Sequence, residues 1–172
     1  DFDLEDKEKE HVADLMLLTD KPIMYVCNVD ESSAVTGNEY VKKVKEIIIN
    51  ENSDLLVLAV ATEADINELD NYDDRKAFLE DIGLDEAGSS KLIRKAYDLL
   101  NLQTYFTAGK KEVRAWTIQK GMSAPQAAGV IHTDFEKGFI RAEVISFKDF
   151  IKHKTELKVK EAGKLNIEGK DY

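Results

Sequence analysis

Two uninterrupted apolar runs, Ile23-Met24-Tyr25-Val26-Cys27 and Leu55 to Ala61, constrain the fold of this chain more than any other feature. Neither alternates apolar with polar residues, which is the pattern of a strand covered on both faces in a parallel sheet. Between them the polar stretch Asn28 to Asn38 reads as a loop. A helical periodicity follows from about Glu39 to Asn50, turning Tyr40, Val41, Val44, Ile47 and Ile48 inward. Strand, loop, helix, strand is a βαβ unit, and its crossover is long enough for a parallel pair. Upstream, Val12, Leu15, Met16 and Leu18 predict a helix over Asp6 to Leu18, broken by Thr19 to Pro22 because proline cannot continue the hydrogen-bond ladder. Downstream, helices are predicted over Asp74 to Ile82 and Ser90 to Leu102, separated by turns at Gly83 and Gly88. The second of these helices serves as a connector.

Beyond Leu102 the texture changes. Gln103 to Thr107 and Glu112 to Ile118 read as short strands around Ala108-Gly109-Lys110-Lys111, a hairpin turn. Ser123 is placed to cap a helix running to about Ile131, with Pro125 in its first turn, where a missing N–H costs little. Phe139 to Ile145 reads as a further strand and Lys148 to Lys152 as a short helix. A hairpin, a helix across it and more strands is the plan of a β-grasp, ubiquitin-like α+β domain. The 172 residues thus divide into an α/β part, 1–100, and an α+β part, 101–172.

Charge follows the same division. Residues 101–172 carry 13 Lys and Arg against 9 Asp and Glu, or +4, which leaves 11 against 25, or −14, for the first hundred. An anionic partner, RNA above all, is therefore expected at the second part, although ordinary surface variation gives asymmetries of this size. No uncharged apolar run approaches the length of a bilayer span, and the acidic N-terminus has no apolar core like that of a signal peptide. A cytoplasmic chain, forming a piece of something longer, is the expectation. Cys27 is the single cysteine, so neither a disulfide framework nor a cysteine zinc site forms within one chain.

Two short stretches stand at the carboxyl ends of the predicted parallel strands, where open α/β sheets bind ligands. In Asn28-Val29-Asp30-Glu31 the asparagine can offer its amide to a purine or to neighbouring backbone, and the acid three residues on can accept from a base edge. The same four residues also fit an ordinary asparagine turn with an exposed acid. In Ala59-Val60-Ala61-Thr62-Glu63 the small residues allow backbone N–H groups close to a base, or close packing under a helix. His132-Thr133-Asp134 invites comparison with a triad or a metal site. However, His11 and His153 are distant in sequence, and a histidine at a helix end making a local hydrogen bond is expected instead. Tyr105, Phe106 and Trp116 are expected to fill a small core, with a stacking platform for single-stranded RNA as the alternative. Lys110, Lys111, Arg114, Lys137 and Arg141 are candidate phosphate contacts, provided that they cluster.

The words TYFTAGKKEVRAWTI, APQAAGVIHTDFEKGFIRAEVI and KEAGKL…EGKDY, preceded by KPIMYVCNVDE, EADINELD and DLLNLQTYF in the same order, make the chain resemble the YchF branch of Obg-like P-loop ATPases along essentially its whole length. The resemblance implies that residues 1–100 are the C-terminal part of a P-loop nucleotide-binding domain with its helical connector, and that 101–172 are a TGS domain of β-grasp fold. It places Asn28-Val29-Asp30-Glu31 where P-loop GTPases carry their N-K-x-D motif. Asn28 would then lie beside the purine, Val29 against it, and Glu31 in place of the acid that reads guanine. Glu is one methylene longer than Asp and would crowd guanine or miss its edge, which favours adenine. Ala59-Val60-Ala61 falls on the base-supporting S-A-K segment, with Val60 where alanine is usual.

The family also implies ATP and Mg²⁺ as cofactors of a full-length, ribosome-associated hydrolase. No G-x-x-x-x-G-K-[ST] phosphate loop occurs in this sequence. By itself the chain is therefore expected to be inactive, with no catalytic or metal residues and no tightly bound nucleotide. Its last residues, Asp171-Tyr172, stop where the family continues into the final hairpin of the TGS sheet. Two readings remain: part of an ATPase, or a non-catalytic module contacting RNA, the ribosome or a protein through the TGS domain. No membrane partner and no DNA sequence specificity are implied.

Overall fold

A computed structural model describes Glu5, Glu8, His11, Val12 and residues 14–51 and 53–172. These form two compact units, Asp1–Leu100 and Asn101–Tyr172. The first contains the expected βαβ unit. Strands β1 (Met24–Asn28) and β2 (Asp54–Leu58) pair in parallel from Met24 opposite Asp54 to Asn28 opposite Leu58. The crossover helix α1 (Glu39–Ile47) starts at Asn38, whose Oδ1 accepts from the N–H groups of Tyr40 and Val41 at 3.0 and 3.1 Å. Gly37, at φ +74°, turns the chain into that cap.

Several expectations are corrected in this unit. Tyr40 and Ile47 are exposed, 75% and 73%, whereas Val41 and Ile48 are buried. With 3.6 residues per turn, Val41, Val44 and Ile48 share a stripe that excludes Tyr40 and Ile47. The apolar β1 is not covered on both faces: Val26 remains 45% exposed. β1 has β2 along one edge and no other strand beside it among the described residues. The second strand does not continue to Ala61 but ends at Leu58, and Val60–Glu68 form helix α2. This helix turns Thr62, Glu63 and Ile66 inward. Two of the three are polar, so the apolar periodicity that reveals a helix is missing.

Helix α3 (Tyr72–Asp81) is capped by Asn71, whose Oδ1 accepts from the Asp74 N–H at 2.8 Å, and α4 (Gly88–Leu99) completes the unit. The connector helix therefore stops short of Leu102. Of the helix expected over Asp6 to Leu18, Glu8, His11 and Val12 are helical, but Asp14 to Leu17 are not, and Met16 has φ +47°. Its other residues lie outside those described. No helix among the described residues is long and apolar enough to cross a membrane.

In the second unit, β3 (Leu102–Ala108) and β4 (Val113–Gln119) form an antiparallel hairpin closed by the Gly109 N–H on the Glu112 carbonyl at 2.9 Å. Residues directly opposite share a face, so Tyr105, Trp116 and Ile118 line one side and Phe106 and Val113 the other. Helix α5 (Ala124–Ile131) belongs to the first side: the Tyr105 hydroxyl donates to the Ala127 carbonyl at 2.9 Å, and Ile118 is buried. Gln126 Oε1 accepts from the Ser123 N–H at 2.9 Å at the start of that helix. Phe106 is 70% exposed on the opposite side and does not fill the core as expected, because strand alternation sets it against Tyr105.

A short helix α6 (Thr133–Lys137) occupies the stretch after α5, and the following strand begins only at β5 (Ala142–Ile145). Two helices, α7 (Phe147–His153) and α8 (Glu156–Glu161), lead to β6 (Leu165–Glu168), which pairs antiparallel with β5. Val159 of α8 is fully buried and anchors this end. Burial also pushes the Tyr105 phenol above its ordinary pKa, in keeping with a hydroxyl committed to a backbone carbonyl. Tyr105→Phe is expected to destabilise the second unit by about 0.5–1.5 kcal/mol, the net worth of one such bond, as read by denaturant unfolding.

Candidate functional site: the carboxyl ends of the parallel strands

Asn28 is the last residue of β1, and its backbone pairing with Leu58 brings it to the end of β2. The next residue repeats the tie, the Val29 N–H donating to the Leu58 carbonyl at 2.9 Å. The Asn28 side chain then crosses to the start of α2, where its Oδ1 accepts from the Val60 N–H at 3.1 Å. Asn28 and Val29 thus meet Val60, more than thirty residues further along the chain, at one edge. Among the described residues the Asn28 Nδ2 group has no partner. The N–H groups of Ala61 and Thr62, in the first turn of α2, have no acceptor within their helix.

Glu31 stands apart from this group. It is exposed and opens a single 3-10 turn, Glu31–Ser33, and no contact joins its side chain to Asn28 or Val60 among the described residues. Asp30 holds that turn: its Oδ1 accepts from Ser32 Oγ at 2.7 Å and from the Ser33 N–H at 2.9 Å. Those bonds, the Ser32 hydroxyl foremost, keep the Asp30 carboxyl below its ordinary pKa. On the side of β1 that faces α1 a groove of about 280 Å³ is lined by Cys27, Asn28, Val29, Asn38, Tyr40, Val41 and Val44. Glu31 and Val60 do not line it.

The basic candidates fall into two sets. Lys110 and Lys111 occupy the exposed β3–β4 turn, and Arg114 follows on β4 with its guanidinium 4.1 Å from the centre of the Trp116 ring. Trp116 is fixed by its Nε1–H donating to Thr107 Oγ1 at 3.0 Å. Lys137 ends α6 and Arg141 precedes β5, both exposed, with no contact to the hairpin set. His132 makes the local bond expected of it, Nδ1 accepting from the Asp134 N–H at 3.2 Å. No three His, Cys, Asp or Glu side chains are grouped as metal ligands among the described residues.

Comparison with known proteins agrees with this architecture. Residues 102–172 match the YchF-GTPase_C family, described as a protein of unknown function (DUF933). The chain is 55% identical over 171 residues to "Ribosome-binding ATPase YchF" of Escherichia coli O157:H7, covering 99% of this chain and 47% of that protein. The corresponding Bacillus subtilis (strain 168) protein is 47% identical, with 97% and 46% covered. The solved structure of the Schizosaccharomyces pombe YchF GTPase superposes with a TM-score of 0.85 at 37% identity, over 99% of this chain and 46% of that one. The chain belongs to the YchF family. It spans about half the length of the curated YchF relatives it matches.

Sequence reasoning named the stretch that ends at Glu63 of this YchF chain but not the role of Glu63 itself. Glu63, buried in α2, accepts from the N–H groups of Gly88 and Ser89 at 2.6 and 2.9 Å. The signal was indirect: α4 begins after Ala87, which supplies no side-chain cap, so its first N–H groups need an acceptor from elsewhere. For the Asp30 turn the sign of the pH effect follows from its lowered pKa. The turn is intact above the ordinary carboxylate range and is lost as pH falls through the lower, folded value. Amide exchange of Ser33 is expected to accelerate in that acid window, and Asp30→Ala to show fast exchange at every pH.

Proposed function

We propose that the first unit supplies the base-reading edge of a YchF-type nucleotide hydrolase, with ATP preferred over GTP. The observation that carries this reading is the Asn28 Oδ1 bond to the Val60 N–H across the ends of two parallel strands. It orients the amide so that Nδ2 remains to donate to an acceptor on a purine, and it sets that amide beside the unpaired N–H groups of the α2 start. Val29 then flanks the base. Relatives named for ribosome-binding ATPase activity support a ribosome-associated, cytoplasmic parent.

The phosphate-binding and cleaving parts, with whatever holds Mg²⁺, are assigned to the rest of that parent, because no G-x-x-x-x-G-K-[ST] phosphate loop occurs in this sequence. The purine fits this edge, and Mg²⁺ is assigned to none of its residues. This chain alone is accordingly inactive. On this reading the second unit is the TGS domain, with α5 against the β3–β4 hairpin and β5–β6 as a second antiparallel pair, the two pairs forming separate sheets among the described residues. In the full-length parent, Glu31→Asp is expected to move the ratio of ATP to GTP affinity towards GTP by about tenfold, the effect of roughly 1–2 kcal/mol at one paired edge. Titration with both nucleotides reads the ratio, and an unchanged ratio removes Glu31 from base reading.

A second reading rests on the hairpin. Lys110, Lys111 and the Trp116-stacked Arg114 are presented together on a unit of charge +4, as suits contact with RNA or the ribosome. Such a module acts without catalysis, and Lys137 and Arg141 extend it if they share its surface. Replacing Lys110, Lys111 and Arg114 together by Gln is expected to flatten the salt dependence of ribosome binding by about two to three in log–log slope, near one per lost phosphate contact. A slope that stays the same excludes the hairpin from the interface.

A further inference from the structure

We infer that Glu63 is a positioning residue for the base-reading edge, acting through α2 on the Val60–Asn28 bond; this rests on the reading of that edge given above. Val60 can meet Asn28 only while the first turn of α2 sits over the end of β1. Ala59, at the junction, is buried but offers no side-chain cap to hold the turn there. The anchor lies one turn along. Glu63 uses both carboxylate oxygens, Oε1 on the Gly88 N–H at 2.6 Å and Oε2 on the Ser89 N–H at 2.9 Å. A carboxylate at the start of a helix meets the positive end of its dipole as well as its unpaired donors, and this one is withdrawn from water.

The anchor is itself fixed. A Cβ at Gly88 would lie 2.0 Å from Leu58 Cδ1 and 2.9 Å from Glu63 Oε1, so only glycine lets α4 approach this closely. Leu58 is the residue that faces Asn28 across the strands and accepts from Val29. Further along, α4 is held to the start of β2 by Lys95 Nζ on Asp54 Oδ2 at 2.5 Å. Asn28, Leu58, Gly88, Glu63 and Val60 therefore form a closed circuit in which each link places the next. The space around Glu63, about 10 Å³ bounded by Leu58, Ala59, Thr62 and Gly88 among others, has room for no ligand. Glu63 touches no base and works by placement.

The test uses the full-length parent and three probes, ATP, GTP and inorganic tripolyphosphate, which has no base. Glu63→Gln replaces one acceptor by an NH₂ group facing an N–H. Ser89→Pro removes a donor from the first turn of α4, where proline is tolerated, and leaves Glu63 intact. Both variants are expected to weaken ATP binding about five- to tenfold and to narrow the ATP to GTP ratio, with tripolyphosphate affinity unchanged. If Glu63→Gln fails to fold, Ser89→Pro carries the test. Unaltered ATP affinity, or equal loss of ATP and tripolyphosphate, overturns the inference. Asn28→Ala separates the two levels. If it causes no base-selective loss, the reading of the edge fails. If it does while Glu63→Gln and Ser89→Pro do not, only the role of Glu63 is lost.

Discussion

The bond from the Asn28 carboxamide to the Val60 N–H joins the end of β1 to the start of α2, two segments 32 residues apart in the chain. Parallel pairing alone would leave the ends of β1 and β2 adjacent but the following segments free to diverge, one into a 3-10 turn and the other into a helix. A single side-chain to backbone bond contributes about 0.5–1.5 kcal/mol, too little to place α2 unaided. The larger constraint is buried: Glu63 in α2 satisfies two donors of α4 while withdrawn from water, and removal of a charged partner from such donors costs more than a neutral bond contributes. The geometry at the exposed edge is therefore inherited from the interior.

The second unit obeys a different rule. Its hairpin sorts side chains by strand alternation, and the helix α5 chooses the side: Tyr105 hydrogen-bonds it, Ile118 is buried, and Trp116 is half-covered. Arg114 lies on that same side with its guanidinium carbon 4.1 Å from the centre of the Trp116 ring, a contact that leaves its N–H donors available. Phe106 and Val113 are left on the other side, facing away from the helix. Charge and apolar area are thus presented on opposite faces of one hairpin, near a turn that carries two lysines.

How far the sequence reveals this depends on whether a residue's environment is local. The parallel strands were legible because their apolar runs lack alternation, α1 because helical periodicity begins at about Glu39, and α5 because Ser123 and Pro125 mark a helix start. Helix α2 was not legible, since two of its three buried residues are Thr62 and Glu63, whose burial is explained only by Gly88 and Ser89 some twenty-five residues on. Tyr40 and Ile47 are read inward by counting every apolar residue of the helical segment, and Phe106 by its place in a strand, but each is exposed because the narrower helix stripe or the strand alternation turns it away. At the candidate edge, the place of Asn28 at the end of the first strand could be read, but Val60 was expected inside the second strand and lies in α2, and the bond between them could not be read. Nothing in either segment states its partner.

In the base-reading edge proposed above, the exposure of Glu31 and selectivity for the base are compatible. In the free chain its carboxylate is solvated and makes no contact, so it adds little to stability and leaves its surroundings unchanged. Its influence appears only when a ligand excludes the water around it. A guanine edge would then have to pair with a carboxylate set one methylene too far out, or leave donors unsatisfied, at a cost of about 1–3 kcal/mol. An adenine edge presents no such pair of donors and escapes that cost. On that proposal the Asp30 turn would make the difference effective, because two hydrogen bonds from Ser32 and Ser33 fix the backbone from which Glu31 projects. A floppy segment would let the longer side chain retreat, and the discrimination would dissolve into conformational freedom.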